Sequence, residues 1–499
     1  MKILLELRPA MDGHAGIPQE TRLLFRALNL LEGIEVEGLI QSSGRVLGKA
    51  LPVSKDSAHN PLSRHQQVNR LSRVVVSLEQ NAKATASEKL GSTLGLYLHP
   101  TAMLLRRIMG FDETLWHFDA SSFKDFVWRS LFAKTLPFED FEAVTSANYR
   151  VVRVPWTAMH TVALLTLKFG ATCYPRLNTS NFDVMISETP YPATVSKNTR
   201  LVVRYHDAIP VLMPHTISDK SFHQASHYHA LRLNVANGAY FACVSDATRR
   251  DLISIFPQAE PRCVTIHNMV SQHYFPEESS AIRIPEIFRT RALTSVRSRA
   301  TPYELQKLSL SDAGEPLPLD YLLMVSTIEP RKNHLTLLSA WEQLRTERFP
   351  KLKLVVVGML GWDHKAIVSK FRPWVERGEL VMLEDVPAGE LRLLYRHAQA
   401  TVCPSFGEGF DFSGVEAMRC GGAVVASDIA VHRDVFGDAA QYFSPYSATE
   451  TAWAIKEVID PSAPTRRHDL IAKGALVSER YLPQNILPQW REFLQGLRP

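Results

Sequence analysis

Short β-branched runs alternate twice along this chain with longer segments of helical period, and that alternation leaves few folds open. Strand, crossover helix and strand within one sheet run parallel, with helices on both faces, so each series predicts a doubly wound α/β domain. In the first half, strands are expected near Lys2–Leu7, Glu35–Ile40, Asp183–Ile186, Leu201–Tyr205, Tyr240–Val244 and Val264–His267. In the second half they are expected near Tyr321–Ser326, Lys353–Gly358, Leu380–Glu384, Thr401–Pro404, Ala423–Ser427 and Gln441–Ser444, separated by helices such as His334–Arg345 and Gly389–His397.

The length of 499 residues accommodates two such domains with sequence to spare. Residues 1–280 form the N-terminal domain, 281–319 a proline-containing linker of mixed charge, and 320–480 the C-terminal domain. Residues 481–499 are expected to be a helix that crosses back to the first domain. The stretch Gln41–Ser180 is too long for a loop and has helical segments at Ala102–Met109 and Ser122–Phe132, so it reads as an inserted helical subdomain, 41–180.

Charge and cysteine content exclude several classes. Lys and Arg total 56 against 51 Asp and Glu, and without a block of like charge nothing points to a nucleic-acid partner. Five cysteines without a CxxC pair argue against a disulfide framework or a zinc finger and for a reducing, cytoplasmic compartment. The first residues become charged too soon for a signal peptide, and the apolar stretch Ala158–Phe169 is broken by His160 and Lys168, so no membrane span is expected. Two mixed basic and apolar runs, Leu104–Arg107 and Val151–Trp156, fit either peripheral contact with the inner face of a membrane or ordinary core packing with solvated arginines.

In a doubly wound sheet the ligand sits beyond the carboxyl ends of the strands, which is where candidate residues belong. At the end of the first C-terminal strand comes Ser326-Thr327-Ile328-Glu329-Pro330-Arg331-Lys332-Asn333, read as a helix start. Cations there oppose the helix dipole by about 0.3–1 kcal/mol each, so Arg331 and Lys332 either face an anion, phosphate foremost, or splay into solvent. Glu408 stands between Gly407 and Gly409, its carboxylate free to meet a ligand hydroxyl. Glu416 has two readings: a ligand-binding carboxylate, or the partner of Ser413 in a helix capping box.

After the first strand, Asp12-Gly13-His14-Ala15-Gly16-Ile17-Pro18 is either a plain turn or a loop that brings the Gly16 amide to a phosphate; the third glycine of the dinucleotide fingerprint is missing. His206 follows the strand Leu201–Tyr205 and can bond a sugar hydroxyl, move a proton, or be fixed by local backbone bonds. His223, His227 and His229 are read as the polar, exposed face of one helix and not as metal ligands. No Asp-x-Asp occurs, which weakens any mechanism needing a paired-aspartate metal loop.

Together these segments resemble a retaining glycosyltransferase of family 4, in particular its mannosyltransferase-like members. The likeness is carried by Leu322–Leu338, the Glu-x7-Glu spacing of Glu408 and Glu416, Val244–Leu252, Ile266–Asn268, Leu354–Gly361 and Gly421–Val435, and spans roughly residues 181–499 with the first 30. It implies the GT-B fold: two Rossmann-like doubly wound domains facing across a cleft, acceptor domain first and nucleotide-sugar domain second. It also implies that Arg331 and Lys332 neutralise the donor diphosphate, Glu408 faces the donor sugar and Glu416 holds the ribose hydroxyls. Gly16 would offer its amide to the phosphate, and His206 would touch the sugar near the reacting carbon.

Transfer of a hexose with retention is the implied activity, with mannose from GDP-mannose the first choice and a saccharide or lipid-linked saccharide as acceptor. Bacterial surface polysaccharide assembly is the implied setting, without a metal or other cofactor. A nucleotide-sugar 2-epimerase and a non-catalytic scaffold subunit of the same fold are the alternatives. Two departures stand out: Asp411-Phe412-Ser413 replaces the family's Gly-Leu-Pro, bringing a carboxylate that would affect sugar choice, and the 41–180 insertion is not a shared feature.

Overall fold

A computed structural model of the chain describes residues 1–13, 16–52, 62–79, 103–292 and 319–497. Among these, two predominantly parallel sheets form. The first contains β1 (Lys2–Glu6), β2 (Glu35–Ile40), β3 (Trp116–Phe118), β4 (Asn148–Val151), β5 (Val184–Ser187), β6 (Arg200–Tyr205), β7 (Tyr240–Cys243) and β8 (Cys263–Thr265), in the order β3-β4-β2-β1-β5-β6-β7-β8. The second contains β9 (Tyr321–Val325), β10 (Lys353–Val357), β11 (Leu380–Leu383), β12 (Ala400–Cys403), β13 (Val424–Ser427) and β14 (Ala440–Phe443), in the order β11-β10-β9-β12-β13-β14.

Both sheets are covered on both sides, which explains their continuous apolar strands. In β1, Ile3 and Leu5 enter one core while Leu4 enters the opposite one; in β9, Tyr321 and Leu323 alternate in the same way with Leu322 and Met324. The helix His334–Glu347 buries Leu337, Trp341 and Leu344 at helical spacing against the second sheet, and the Trp341 indole N–H donates to the carbonyl of Leu352 at 3.0 Å.

The segment expected as a helical subdomain, 41–180, instead contributes two strands to the N-terminal sheet. β4 pairs parallel with β2, Leu39 opposite Arg150, and β3 pairs antiparallel with β4. Phe118, Tyr149 and Val151 from this segment join Phe25 and Phe132 in one core cluster, so it extends the domain and does not stand apart from it. Its helical pieces include Lys124–Val127 and a π turn at Trp128–Phe132. Residues 53–61 and 80–102, and with them Ala102 through its neighbour Thr101, lie outside the described residues.

The expected linker, 281–319, is also partly folded. The helix Ile284–Arg291 buries Ile284, Ile287 and Phe288 in the C-terminal core, and Arg291 makes a paired contact with Glu390 at 2.7 and 2.8 Å; residues 293–318 lie outside the described residues. At the other end, the helix Pro483–Gly496 packs Ile486, Trp490 and Leu494 into the N-terminal core, with the Trp490 ring 5.3 Å from the Arg204 guanidinium. Among the described residues no helix is long and apolar enough to cross a membrane.

Candidate active site

The carboxyl end of β9 leads into a tight passage where Gly358 is obligatory: its φ is +156° and any Cβ would overlap the carbonyl of Ser326. Beyond it, Pro330–Lys332 form a single 3-10 turn, and Asn333 turns the chain through left-handed φ 61° before the helix His334–Glu347 starts. Arg331 and Lys332 therefore precede the helix and do not sit in its first turn. Asn333 holds this corner by donating from Nδ2 to the carbonyls of Pro404 at 2.9 Å and Pro445 at 2.8 Å.

Neither cation splays into solvent. Arg331 Nη1 donates to Glu408 Oε2 at 2.9 Å and to the Gly407 carbonyl at 2.6 Å, its Nη2 reaches Glu329 Oε1 at 2.8 Å, and Lys332 Nζ meets Glu408 Oε1 at 2.6 Å. Glu408 is thus the shared counter-anion of both cations, not the unengaged carboxylate expected from its flanking glycines. Burial alone would raise its pKa; the charges of Arg331 and Lys332 outweigh that and hold it below the ordinary carboxylate range. Burial likewise raises Glu329, against the pull of the same cations.

The capping-box reading of Glu416 does not hold. The helix Phe412–Arg419 is capped by Asp411, at left-handed φ 66°, whose Oδ1 accepts from the Ser413 backbone N–H at 3.1 Å and from its hydroxyl at 2.6 Å. Asp411 Oδ2 lies 3.1 Å from His432 Nε2, so both oxygens of the carboxylate that departs from the family pattern are engaged inside the domain. Glu416 is left to accept from Gln19 Nε2 at 2.9 Å, across the cleft, and from the Tyr395 hydroxyl at 3.0 Å. Burial pushes its carboxyl up to about 7.

On the N-terminal side, Gly16 adopts φ 73° as the residue preceding the helix Ile17–Leu28, while His14 and Ala15 lie outside the described residues. Arg22 of that helix folds back beneath the loop, and its Nη2 donates to the carbonyls of Ala10 at 2.7 Å, Asp12 at 2.7 Å and Gly13 at 2.8 Å. Its Nε also reaches the Leu131 carbonyl at 2.8 Å, and burial lowers its pKa to about 10. Carbonyl dipoles, and no direct carboxylate contact among the described residues, carry this buried charge.

His206, just after β6, is lowered to about 4, first by burial and then by Arg204. Its Nε2 lies 3.2 Å from Oε2 of Glu188, which follows β5 and is fully buried. Alongside, Arg204 holds Glu20 at 2.9 Å and Asn268 Oδ1 at 2.7 Å, every side chain sealed from solvent. Glu188, Arg204 and Arg22 were not among the residues expected from sequence. Glu188 obeys the same strand-end rule as His206 and was open to detection; Arg204, inside an apolar strand, declares itself only through partners remote in sequence. His227 is a further correction: its Nε2 is buried without a hydrogen bond, its ring lies 6.0 Å from Tyr205, and burial lowers it to about 3, so it does not belong to an exposed polar face. Among the described residues no cluster of His, Cys, Asp and Glu is arranged to hold a metal ion.

The two sides of the cleft touch at the glycine pair. A Cβ on Gly409 would overlap the carbonyl oxygen of His206, and the Ser245 hydroxyl donates to the Gly409 carbonyl at 2.8 Å. Asp434 Oδ2 accepts from the backbone N–H groups of Asp246 at 2.6 Å and Ala247 at 3.1 Å, placing an anion at the start of the helix Asp246–Ile255. The fold thereby gathers Arg331, Lys332, Glu408 and Glu416 on one wall, with Gln19 and His206 reaching the same seam from the other.

Residues 311–476 match the family model described as glycosyl transferases group 1. Over 202 residues the chain is 32% identical to O-antigen chain mannosyltransferase B of Escherichia coli, which is 40% of this chain and 46% of that one. Over 165 residues it is 32% identical to the serotype-specific mannosyltransferase WbdA of Escherichia coli, covering 33% of this chain and 20% of the relative. The chain therefore matches less than half the length of these curated relatives. Among solved structures, sucrose-phosphate synthase from Thermosynechococcus elongatus superposes over 99% of this chain and 98% of its own with TM-score 0.57 at 14% identity. Anabaena HepE in complex with UDP superposes over 72% and 89% with TM-score 0.50 at 16% identity. At those identities the likeness establishes the shared two-domain architecture of GT-B glycosyltransferases. Across residues 311–476, this chain carries a domain of the glycosyl transferases group 1 family.

Proposed function

We propose that the protein transfers a hexose, mannose from GDP-mannose in the first instance, to a saccharide or lipid-linked saccharide acceptor with retention at the anomeric carbon, in assembly of a bacterial surface polysaccharide. One observation carries the reading: two cations, Arg331 and Lys332, are fixed at a strand end in the cleft by a single carboxylate, Glu408. A diphosphate leaving group gains negative charge as the bond to the anomeric carbon breaks, and preorganised cations stabilise it without reorganisation at that moment. In this reading Glu408 meets the sugar hydroxyls, Glu416 takes the ribose hydroxyls and Gly16 offers its amide to the phosphate. The bond from the anomeric carbon to the diphosphate breaks, a bond to the acceptor oxygen forms on the same face, and a leaving-phosphate oxygen takes the acceptor proton. No protein nucleophile is needed, and closure of the domains limits attack by water.

The mannosyltransferase relatives support the choice of sugar, and the exposed Leu105, Ile108, Met109 and Phe111 beside Arg106 and Arg107 support a peripheral contact with the membrane that would present a lipid-linked acceptor. Calorimetric titration with GDP-, UDP- and dTDP-sugars tests the donor, with binding of GDP-mannose expected and its loss in the Arg331→Ala, Lys332→Ala double variant. Unchanged donor affinity in that variant would overturn the reading, and a changed sugar formed from donor alone would point to an epimerase.

A further inference from the structure

Three carboxyl groups, Glu6, Glu20 and Glu188, converge behind the cleft with two guanidinium groups. Arg8 Nε holds Glu6 Oε1 at 2.8 Å and Arg204 Nη2 holds Glu20 Oε1 at 2.9 Å, so each arginine already has its carboxylate. Glu188 makes no ion pair with Lys or Arg among the described residues, and its Oε1 is buried without a hydrogen bond. Around it stand Glu6 and Arg8 from the end of β1, Glu20 and Thr21 from the helix Ile17–Leu28, and Arg204, His206 and Asp207 from β6 and its exit. Burial also raises Glu20, but two N–H groups of Arg204 hold its Oε1, whereas Glu188 is the carboxyl with no guanidinium of its own, so ionising it would add an unpaired buried charge.

We infer that Glu188 is a positioning residue: as a neutral acid it donates its O–H to Nε2 of His206, 3.2 Å away, and so fixes the ring tautomer that carries its proton on Nδ1. Nδ1 makes no hydrogen bond to any described residue, and the His206 backbone carbonyl lies where a Cβ on Gly409, the neighbour of Glu408, would fall. With Nδ1 protonated the ring keeps an unengaged N–H donor, suited under the proposed sugar transfer to a hydroxyl or phosphate oxygen of the donor. An ionised Glu188 would instead accept a hydrogen bond from Nε2–H and leave Nδ1 as the acceptor. The direction of the Glu188 shift agrees: burial raises it to about 8, while His206, at about 4, stays neutral. The role assigned to His206 rests on the proposed sugar transfer; the tautomer does not.

The test is nitrogen NMR on the whole protein with labelled histidine, the His206 signals assigned by their loss in His206→Ala. At neutral pH the expected result is a bare Nε2 and a protonated Nδ1 in the ligand-free protein; the opposite tautomer overturns the inference even if sugar transfer is confirmed. Glu188→Gln, whose amide N–H can donate to Nε2, should keep that tautomer and recover the kcat/KM that Glu188→Ala loses by about tenfold. Wild type should lose activity on the alkaline side near the Glu188 pKa and Glu188→Gln should not; a Glu188→Gln variant that shows the same loss, or is as impaired as Glu188→Ala, rules the role out.

Discussion

Gln19 and Glu416 lie 397 positions apart, yet the side-chain amide of the first donates to the carboxyl of the second at 2.9 Å across the cleft. Both groups are buried, so deleting the donor leaves a dry carboxyl oxygen with a lost partner. Gln19→Ala should therefore lower stability by about 1 kcal/mol, and the ligand-free domains should separate more readily. Thermal unfolding reads the first effect and the radius of gyration in solution scattering the second. If the hydrogen bond holds the domains together, saturating nucleoside diphosphate sugar should return the variant toward the wild-type radius; an unchanged radius in the free variant would show that the contact holds nothing.

Glu408 is the shared anion of two half-buried cations, and Glu408→Gln separates its two tasks. Removing the shared anion leaves two half-buried cations close together without their counter-charge, so the unfolding midpoint should fall. A free nucleoside diphosphate supplies the missing negative charge. It should bind Glu408→Gln at least as tightly as wild type and raise its midpoint by more, while kcat for sugar transfer falls. Calorimetry with GDP checks this: a parallel loss of GDP affinity and kcat would mean that Glu408 organises the phosphate site itself.

Gly409 owes its identity to the other domain. Its Cβ would strike the carbonyl of His206, a backbone atom that cannot rotate away, and the cheapest relief is to move the domains apart. Overpacking of this kind costs about 1–3 kcal/mol, taken here from the closed state. Gly409→Ala should retain most of its affinity for free diphosphate, since Arg331 and Lys332 remain in place, and lose kcat. Steady-state kinetics beside calorimetry measures that split, and equal losses in both would place the damage in the local loop.

What was legible in sequence was the punctuation. Arg331, Lys332 and Glu408 stand at strand ends among Pro330, Gly407 and Gly409, where backbone turns and charge coincide within a few residues. Glu416 was legible as a candidate but ambiguous, because the Ser413 pattern also fits a cap; the left-handed Asp411 claims that cap one step earlier, a backbone choice with no local signature. Strands β3 and β4 escaped because they are three and four residues long and their polar members are partnered at a distance, Arg150 pairing with Glu37 of β2. Arg204 and Arg22 escaped for the same reason: what makes them important is Glu20, Ile266 and Asn268 for one and a row of loop carbonyls for the other. Tertiary contact, and not period or motif, assigns those residues.

The buried acid Glu188 also leaves a mark on stability. A carboxyl of ordinary pKa 4.5 in the unfolded chain and about 8 in the fold holds a proton in the native state that the unfolded state has released between those values. The contribution of Glu188 to native stability then decreases as pH rises from about 4.5 to about 8, the reverse of the usual behaviour of a salt-bridged carboxylate. Glu188→Gln keeps the neutral hydrogen-bonding group and removes the titration. Its stability relative to wild type should climb through that window by about 1–4 kcal/mol and then level off. Glu416, raised to about 7, acts in the same direction over a narrower span, so Glu416→Gln should level off earlier. Denaturant midpoints of wild type and both variants at a series of pH values measure the difference. A gap between Glu188→Gln and wild type that stays flat from acid to alkaline pH would show that Glu188 is already ionised in the fold, and with it that the carboxyl charges behind the cleft are balanced by some other protonated group.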